Sequence, residues 1–204
     1  MPKKTLAVMA AALATVAVAP ALSAPAANAA TSAEKAQARR TAVYVQGDSL
    51  TVGAGPYLQR TLRGDVKRVS VDAQVGRFTA TGMHRLAQSG SARGSKVWVV
   101  ALGTNDGPDP RALKRHVTRS LRLAGPRRDV IWLTVERPGG YGRVNRMLRQ
   151  MDRGNDRLHV VDWAGYVHKH PSALAGDGVH ATARGYQVRA NMIAATALQL
   201  AQNG

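Results

Sequence analysis

Ser49, Asp177 and His180 are residues of the types that carry out nucleophilic catalysis in serine enzymes. Ser49 is the last residue of the segment AVYVQGDS at 42–49. Asp177 and His180 are the first and last residues of the segment Asp-Gly-Val-His at 177–180. A serine hydroxyl is a weak nucleophile at neutral pH, so it needs an imidazole to take its proton and a third group to hold that imidazole. The Asp-x-x-His spacing lets one turn direct the carboxylate to one ring nitrogen while the other nitrogen faces the serine. The sequence therefore predicts Ser49 as nucleophile, His180 as general base and Asp177 as its orienting partner.

Two further fragments, DAQVGR at 72–77 and LGTND at 102–106, each follow an apolar run of β-like composition. Together with GDSLTVG at 47–53 and DGVH at 177–180, they resemble the four sequence blocks of the SGNH hydrolases, also called GDSL esterases and lipases. The blocks occur in the family's order. The resemblance implies the same roles for Ser49, His180 and Asp177, and it implies that Gly76 and Asn105 are oxyanion-hole donors.

The chemistry of ester cleavage gives each of these positions a task. Attack on the carbonyl places negative charge on oxygen, which preorganised N–H donors stabilise. Asn105 offers a side-chain amide, and Gly76 and Ser49 offer backbone N–H groups, the latter at the positive end of a dipole if Ser49 opens a helix. Taken singly, Gly76 fits a turn, Asn105 a helix cap and Asp48 a turn former. The ordered recurrence of all four blocks favours the hydrolase interpretation.

The first 29 residues resemble a secretory signal peptide. Lys3 and Lys4 precede an apolar stretch from Leu6 to Ala19, and Ala27-Asn28-Ala29 follows as an A-x-A-like cleavage site. The apolar stretch is shorter than the roughly 20 residues of a membrane span. We therefore expect a signal peptide at 1–29, a flexible lead-in at 30–40 and one SGNH hydrolase domain at 41–204. The mature chain is expected to have no transmembrane segment and to be secreted, either extracellular or associated with the cell wall.

Composition excludes several other chemistries. The chain has no cysteine, which removes thiol catalysis and thiolate metal sites, and its histidines lack the His-x-x-x-His spacing of zinc sites. We expect no required metal or cofactor, and a monomer. The formal net charge of +17 implies attraction to polyanions such as anionic cell-wall polymers, lipid headgroups or nucleic acid. A single Phe and the lack of a recognition module argue against specific nucleic-acid binding.

The pattern of apolar runs predicts an α/β fold. Five β-like runs alternate with helix-like segments, which implies a parallel sheet covered on both faces, a three-layer α/β/α sandwich; the family resemblance implies a flavodoxin-like sheet of five strands. The expected strands lie at 42–46, 66–71, 96–102, 129–135 and 158–162. The expected helices lie at 51–63, 77–89, 109–124, 140–152 and 182–201. The expected buried face of the last helix consists of Val188, Met192, Ala195 and Leu198, and the expected core or pocket-wall tryptophans are Trp98, Trp132 and Trp163.

Within the family, DAQVGR, Val161-Asp162-Trp163 and the run at 176–180 are most similar to the extracellular SGNH domain of peptidoglycan O-acetyltransferases. That likeness implies acetyl chemistry on cell-wall glycans. Those transferases carry a multi-helix membrane domain that this sequence lacks, so hydrolysis of short-chain acyl esters is the preferred hypothesis. The alternatives are O-acetyl transfer to wall glycan, a secreted lipase or lysophospholipase, and a non-catalytic polyanion-binding protein. Arg77 and Arg143 are expected to be solvated surface residues.

Overall fold

The computed structural model describes residues 29–203, and these form one parallel sheet with helices on both faces. The strands are β1 (Ala42–Gly47), β2 (Arg68–Ala73), β3 (Val97–Ala101), β4 (Asp129–Leu133) and β5 (Leu158–Val161). The helices are α1 (Ser32–Arg40), α2 (Ser49–Thr61), α3 (Thr79–Gln88), α4 (Gly90–Arg93), α5 (Pro110–Ala124), α6 (Gly142–Arg153), α7 (Trp163–Lys169) and α8 (Ala183–Gln202). Short 3-10 turns lie at Gly125–Arg127 and Pro171–Ala173.

The sheet has the predicted flavodoxin-like arrangement. The strand order is β2-β1-β3-β4-β5, and every neighbouring pair is parallel. All residues of β1 and β3 are buried, because helices cover both faces of the sheet, and this explains why these strands read as continuous apolar runs. The predicted three-layer α/β/α sandwich is confirmed, with each expected strand within a few residues of its observed bounds.

Two apolar layers hold the sheet between its helices. On one face, Val43 and Val45 of β1 pack with α1, α2 and α8. On the other face, Tyr44, Trp98 and Trp132 pack with α3, α5 and α6. The alternation follows directly from the two-residue period of a strand. Both strand tryptophans are buried, as is Trp163 at the start of α7, which confirms the prediction that these rings belong to the core.

The buried face of α8 differs from the expected one. Its buried residues are Gly185, Arg189, Ala190, Ile193, Ala194, Ala197 and Ala201, whereas Ala195 is exposed and Val188, Met192 and Leu198 are only partly buried. The prediction is wrong because the helix approaches the sheet and α2 through small residues rather than large ones. Gly53 of α2 leaves room for the ring of Tyr186 at this contact.

The expected flexible lead-in at 30–40 is also wrong for most of its length, because residues 32–40 form α1. Thr31 and Glu34 make a capping box, in which each side chain bonds the backbone N–H of the other residue. Ala38 is buried, and the Thr41 hydroxyl lies 3.4 Å from the Ala201 carbonyl, so the helix is tied to α8. The predicted signal peptide at 1–29 lies outside the described residues, apart from Ala29. Between residues 29 and 203, none of the helices has both the length and the apolarity that crossing a bilayer requires.

The parallel sheet decides where the sequence motifs meet. Gly47, Ala73 and Ala101 are the last residues of β1, β2 and β3, and these three strands are neighbours. The loops after them therefore leave the sheet at the same edge, which is where open α/β sheets bind ligands. Ser49, Gly76 and Asn105 lie on these loops or just beyond them.

Candidate active site

Ser49 is the first residue of α2, directly after the turn that follows β1. Asp48 caps this helix, since its Oδ1 accepts the Leu50 N–H at 3.0 Å. A Cβ at position 47 would collide with the Thr51 side chain, so the turn requires glycine there. The result is a half-buried serine whose backbone N–H lies at the positive end of the helix dipole.

Asp177 and His180 lie on a short loop between α7 and α8. An isolated antiparallel bridge between Leu174 and Ala181 closes the loop, and the Ala175 N–H donates to the His180 carbonyl at 2.7 Å. Asp177 Oδ1 accepts the backbone N–H of His180 at 2.9 Å. Gly178 has a φ of 68°, a conformation that glycine adopts without steric cost. This tight turn explains why three residues suffice to aim the carboxylate at the imidazole.

The serine, histidine and aspartate form one hydrogen-bonded chain. His180 Nε2 lies 3.0 Å from Ser49 Oγ, and His180 Nδ1 lies 2.6 Å from Asp177 Oδ2. The hydrogen bond from His180, followed by those from the backbone N–H groups of Val179 and His180, lowers the pKa of Asp177 to about 2. An ionised carboxylate only accepts hydrogen bonds, so the Nδ1 proton points to Asp177 and Nε2 is free to accept the serine proton.

Gly76 lies in a loop that an ion pair between Arg77 and the partly buried Asp72 supports. Arg77 bonds the Asp72 carboxylate at 2.7 Å and the Asp72 carbonyl at 2.6 Å, and its side chain is buried. The expectation that Arg77 is a solvated surface residue is therefore wrong. Gly76 has a φ of 72° and is exposed, and the Gln74 N–H donates to the Gly47 carbonyl at 3.2 Å. This last bond ties the Gly76 loop to the turn that carries Ser49.

Asn105 connects the third motif to the second. Its Nδ2 donates to the Arg77 carbonyl at 3.2 Å, which leaves the second amide hydrogen for another acceptor. The neighbouring Asp106 accepts the Thr79 N–H at 3.1 Å and caps α3. The four motifs are thus joined in a chain of contacts, and the structure brings the site residues predicted from the sequence to one edge of the sheet.

The two histidines at the end of α7, His168 within the helix and His170 directly after it, lie apart from this chain of hydrogen bonds. His168 is exposed and pairs with Glu136 at 3.2 Å, and the His170 ring packs on Tyr166 with 4.4 Å between ring centroids. Among residues 29–203, no cluster of three or more His, Asp or Glu side chains has a geometry that would hold a metal ion.

Sequence reasoning missed a buried charge pair behind the serine. Asp48 is fully buried, and burial raises its pKa although the Arg189 guanidinium acts in the opposite direction. Arg189 is buried on α8, where desolvation lowers its pKa to about 10, and its guanidinium lies 5.1 Å from the Trp163 ring. Among the described residues, the two side chains make no hydrogen bond to each other and no ion pair within 4.0 Å, so Arg189 acts on Asp48 only electrostatically, across a longer distance. Arg189 follows Gly185 and precedes Ile193 and Ala197 at four-residue spacing, so it lies on the same face of α8 as they do. This spacing is the sequence signal that could have identified Arg189 as a buried arginine.

Comparison with known proteins identifies a homologous domain. No protein-family model matches the chain. Over 169 residues it is 24% identical to the O-acetyltransferase OatA of Staphylococcus aureus, and the match takes in 81% of this chain but 26% of that protein. The chain therefore spans about a quarter of the length of the curated relative that it matches.

Solved structures agree in fold. The C-terminal catalytic domain of peptidoglycan O-acetyltransferase A from Streptococcus pneumoniae, solved with a methylsulfonyl adduct, superposes with a TM-score of 0.67 at 26% identity, covering 80% of this chain and 96% of that one. A lipase/acylhydrolase from Enterococcus faecalis gives a TM-score of 0.68 at 17% identity, covering 78% and 96%. The chain is homologous to the OatA catalytic domain, and its structural neighbours lie in the GDSL/SGNH hydrolase family.

The buried charge pair generates a testable prediction. We expect Arg189→Met to lower the free energy of unfolding by about 3 kcal/mol, because it leaves the Asp48 carboxylate buried without its compensating cation. Asp48→Asn keeps a capping oxygen and removes the charge. Denaturant unfolding of both single variants and the double variant measures the coupling. The double variant is expected to be less destabilised than the sum of the singles, and strictly additive effects would show that the two charges do not interact.

Proposed function

We propose that this protein is a secreted serine esterase that removes short acyl groups, acetyl above all, from hydroxyls of cell-wall glycans. The observation that carries the proposal is the hydrogen-bonded chain from Ser49 Oγ through His180 to Asp177, at 3.0 Å and 2.6 Å. That geometry is the one a serine needs to act as a nucleophile at neutral pH. The assignment of the glycan substrate draws on homology to the OatA catalytic domain.

In the first half of the reaction, Ser49 Oγ attacks the ester carbonyl as His180 Nε2 takes the serine proton. The carbonyl oxygen becomes an oxyanion, for which the Ser49 N–H, the Gly76 N–H and the Asn105 amide are the proposed donors. The C–O bond to the glycan then breaks, and His180 returns its proton to the departing hydroxyl. The products of this half are an acyl-serine and the free glycan.

In the second half, water attacks the acyl-serine. His180 Nε2 removes a proton from the water, the same donors hold the second oxyanion, and the acid leaves as the proton returns to Ser49 Oγ. Asp177 remains ionised throughout, since its pKa of about 2 lies far below neutral pH. It orients the imidazole and stabilises the imidazolium that forms in both halves.

The surface around the serine is open enough for a bulky substrate. His180 and Asp177 are about half exposed, with side-chain exposures of 45% and 51%, so the ester is reached from open solvent. Among residues 29–203, the large apolar side chains that are exposed all lie within the first two motifs or directly after the second: Val52, Val75 and Phe78, at 45%, 70% and 56%. Val52 is one turn after Ser49, and the other two flank Gly76 and Arg77. Such an apolar rim fits the C–H face of a sugar ring.

Acetyl transfer to a second glycan is the other candidate, and the likeness to the OatA domain favours it. A sugar hydroxyl would then replace water as the attacking group in the second half, with no change in the roles of Ser49 and His180. Turnover of an acetyl ester with and without a chitooligosaccharide acceptor distinguishes the two. Free acetate as the main product in both cases supports the esterase, and acetylated acceptor as the main product supports the transferase.

Removal of the nucleophile or of the general base should abolish turnover. We expect Ser49→Ala and His180→Ala to fold normally and to lose at least about a thousandfold in kcat/KM on a small acetyl ester, and Asp177→Asn to lose less. His168→Ala, which removes an exposed histidine outside the site, is the matched control and should retain full turnover. Wild-type rates in Ser49→Ala would overturn the mechanism.

The apolar rim gives a prediction about substrate choice. We expect Phe78→Ala to raise KM for O-acetylated glycan by about three- to tenfold, the equivalent of an aromatic contact of roughly 0.5–1.5 kcal/mol. Hydrolysis of a small alkyl acetate should be unchanged, because Phe78 donates no hydrogen bond to the reacting atoms. Phe78→Tyr, which keeps the ring, should restore the glycan KM. Equal losses on both substrates would show that Phe78 supports the fold of the loop rather than the sugar.

A further inference from the structure

Two neighbouring helices carry a large share of the positive charge. Helices α5 and α6 pack on the same face of the sheet, and their exposed sides form what we call the arginine face. Nine of the chain's 29 lysines and arginines lie on these helices, together with one of its 12 acidic residues. The basic residues are Arg111, Lys114, Arg115, Arg119, Arg122, Arg143, Arg146, Arg149 and Arg153.

The charges on α5 repel one another. Arg111, Arg115 and Arg119 are exposed and follow at four-residue spacing, and like charges at this spacing destabilise a helix. In the part of the chain that the structure describes, no lysine or arginine of α5 lies within 4.0 Å of a carboxylate. On α6, Arg149 bonds Asp162 at 2.6 Å. Hydrogen bonds from backbone N–H groups lower the pKa of the exposed Asp109 at the start of α5, and the charges of Arg115 and Arg111 help to lower it, but these arginines form no direct ion pair with it.

Several arginines elsewhere in the molecule make contacts that stabilise the fold, and they differ in this from the arginines of α5. Arg77 supports the Gly76 loop through its ion pair with Asp72. Burial raises the pKa of Asp48, and Arg189 acts electrostatically to lower it. Arg128 donates to the carbonyls of Ser95, Ala124 and Arg93 and lies over the Trp98 ring. Among residues 29–203, the arginine side chains of α5 make no comparable hydrogen bond, ion pair or ring contact, and the helix exposes these residues to solvent.

We propose that the arginine face binds an anionic cell-wall polymer whose backbone carries repeated phosphodiesters. A guanidinium group matches phosphate with two parallel hydrogen bonds, which favours arginine at such a surface. The four-residue spacing on α5 places successive charges about 6 Å apart along the helix axis, a row suited to an extended chain. No Phe, Tyr or Trp belongs to the exposed side of α5 or α6, so bases of a single-stranded nucleic acid would find no ring on which to stack.

The arginine face also has a definite direction relative to the candidate active site. Helix α5 begins a few residues after Asn105, at the edge of the sheet where Ser49 lies, and it ends at the opposite edge. There it meets a concavity of about 680 Å³ whose lining includes Arg93, Lys96, Arg127 and Arg128. A polymer bound along the arginine face would hold the enzyme beside the wall with its active-site edge free. Polymer binding by the arginine face rests on the proposed function in one respect only, namely that the enzyme acts at the cell wall.

Binding to poly(glycerol phosphate) tests the proposal without requiring turnover. The variant Arg111→Gln, Arg115→Gln, Arg119→Gln, Arg122→Gln is compared with a matched variant that removes four exposed charges elsewhere: Lys35→Gln, Arg39→Gln, Lys67→Gln and Arg63→Gln. Both are made in the Ser49→Ala background for binding and in the wild type for activity. Affinity is measured at several salt concentrations, with neutral dextran and a single-stranded oligonucleotide as comparison ligands.

We expect the α5 variant to lose at least about tenfold in affinity, with the log–log salt slope reduced by about 3, roughly 0.7 for each lost phosphate contact. The matched variant should lose less than about threefold. Both should keep wild-type turnover of a small acetyl ester, which shows that they are folded and that the esterase chemistry is separate. Equal losses in the two variants would overturn the proposal, since net charge alone would then explain binding. Tighter binding of the oligonucleotide than of poly(glycerol phosphate) would overturn it in favour of a nucleic-acid partner.

Discussion

The hydrogen bond between His180 Nε2 and Ser49 Oγ is the interaction on which the rest of the site depends. It joins residues 131 positions apart in the chain, so every intervening element has to return the chain to the same edge of the sheet. The parallel order β2-β1-β3-β4-β5 does this, because each crossover brings the next strand's carboxyl end to that edge. The fold thereby brings Ser49 Oγ at the start of α2 to 3.0 Å from His180 Nε2 in the loop before α8.

The motifs are coupled to one another as well as to the sheet. The Gly47 carbonyl accepts from Gln74, and the Arg77 carbonyl accepts from Asn105, so the serine turn, the Gly76 loop and the Asn105 loop form a continuous network. Buried charge supports it from two sides, through Arg77 with Asp72 and Arg189 with Asp48. If Ser49, Gly76 and Asn105 supply the oxyanion donors as proposed, donors held in this way need little reorganisation when an oxyanion forms, which is how enzymes stabilise developing charge.

Much of this architecture can be predicted from the sequence, because its signals are local. Continuous apolar strands such as β1 and β3 follow from burial on both faces, and the Asp-x-x-His spacing defines a turn that orients its own imidazole.

The role of Arg189 cannot be predicted in this way, because it depends on Asp48, which lies far away in the sequence at the start of α2. Arg77 looks like one more surface arginine until the fold buries it. Helix α1 needs both its capping box and the partner surface of α8, and only the first is visible in the sequence. The buried face of α8 does not follow from its large apolar residues, because most of the residues in its close contacts are small.

The most direct test of the central claim is the labelling of the protein with methanesulfonyl fluoride, followed by mass spectrometry of the intact chain and of its peptides. If Ser49 is activated by His180, one methylsulfonyl group should attach to Ser49 Oγ with release of fluoride. The rate should fall at least about a hundredfold in His180→Ala. Labelling at another residue, or an unchanged rate on Ser49 without the imidazole, would contradict the account.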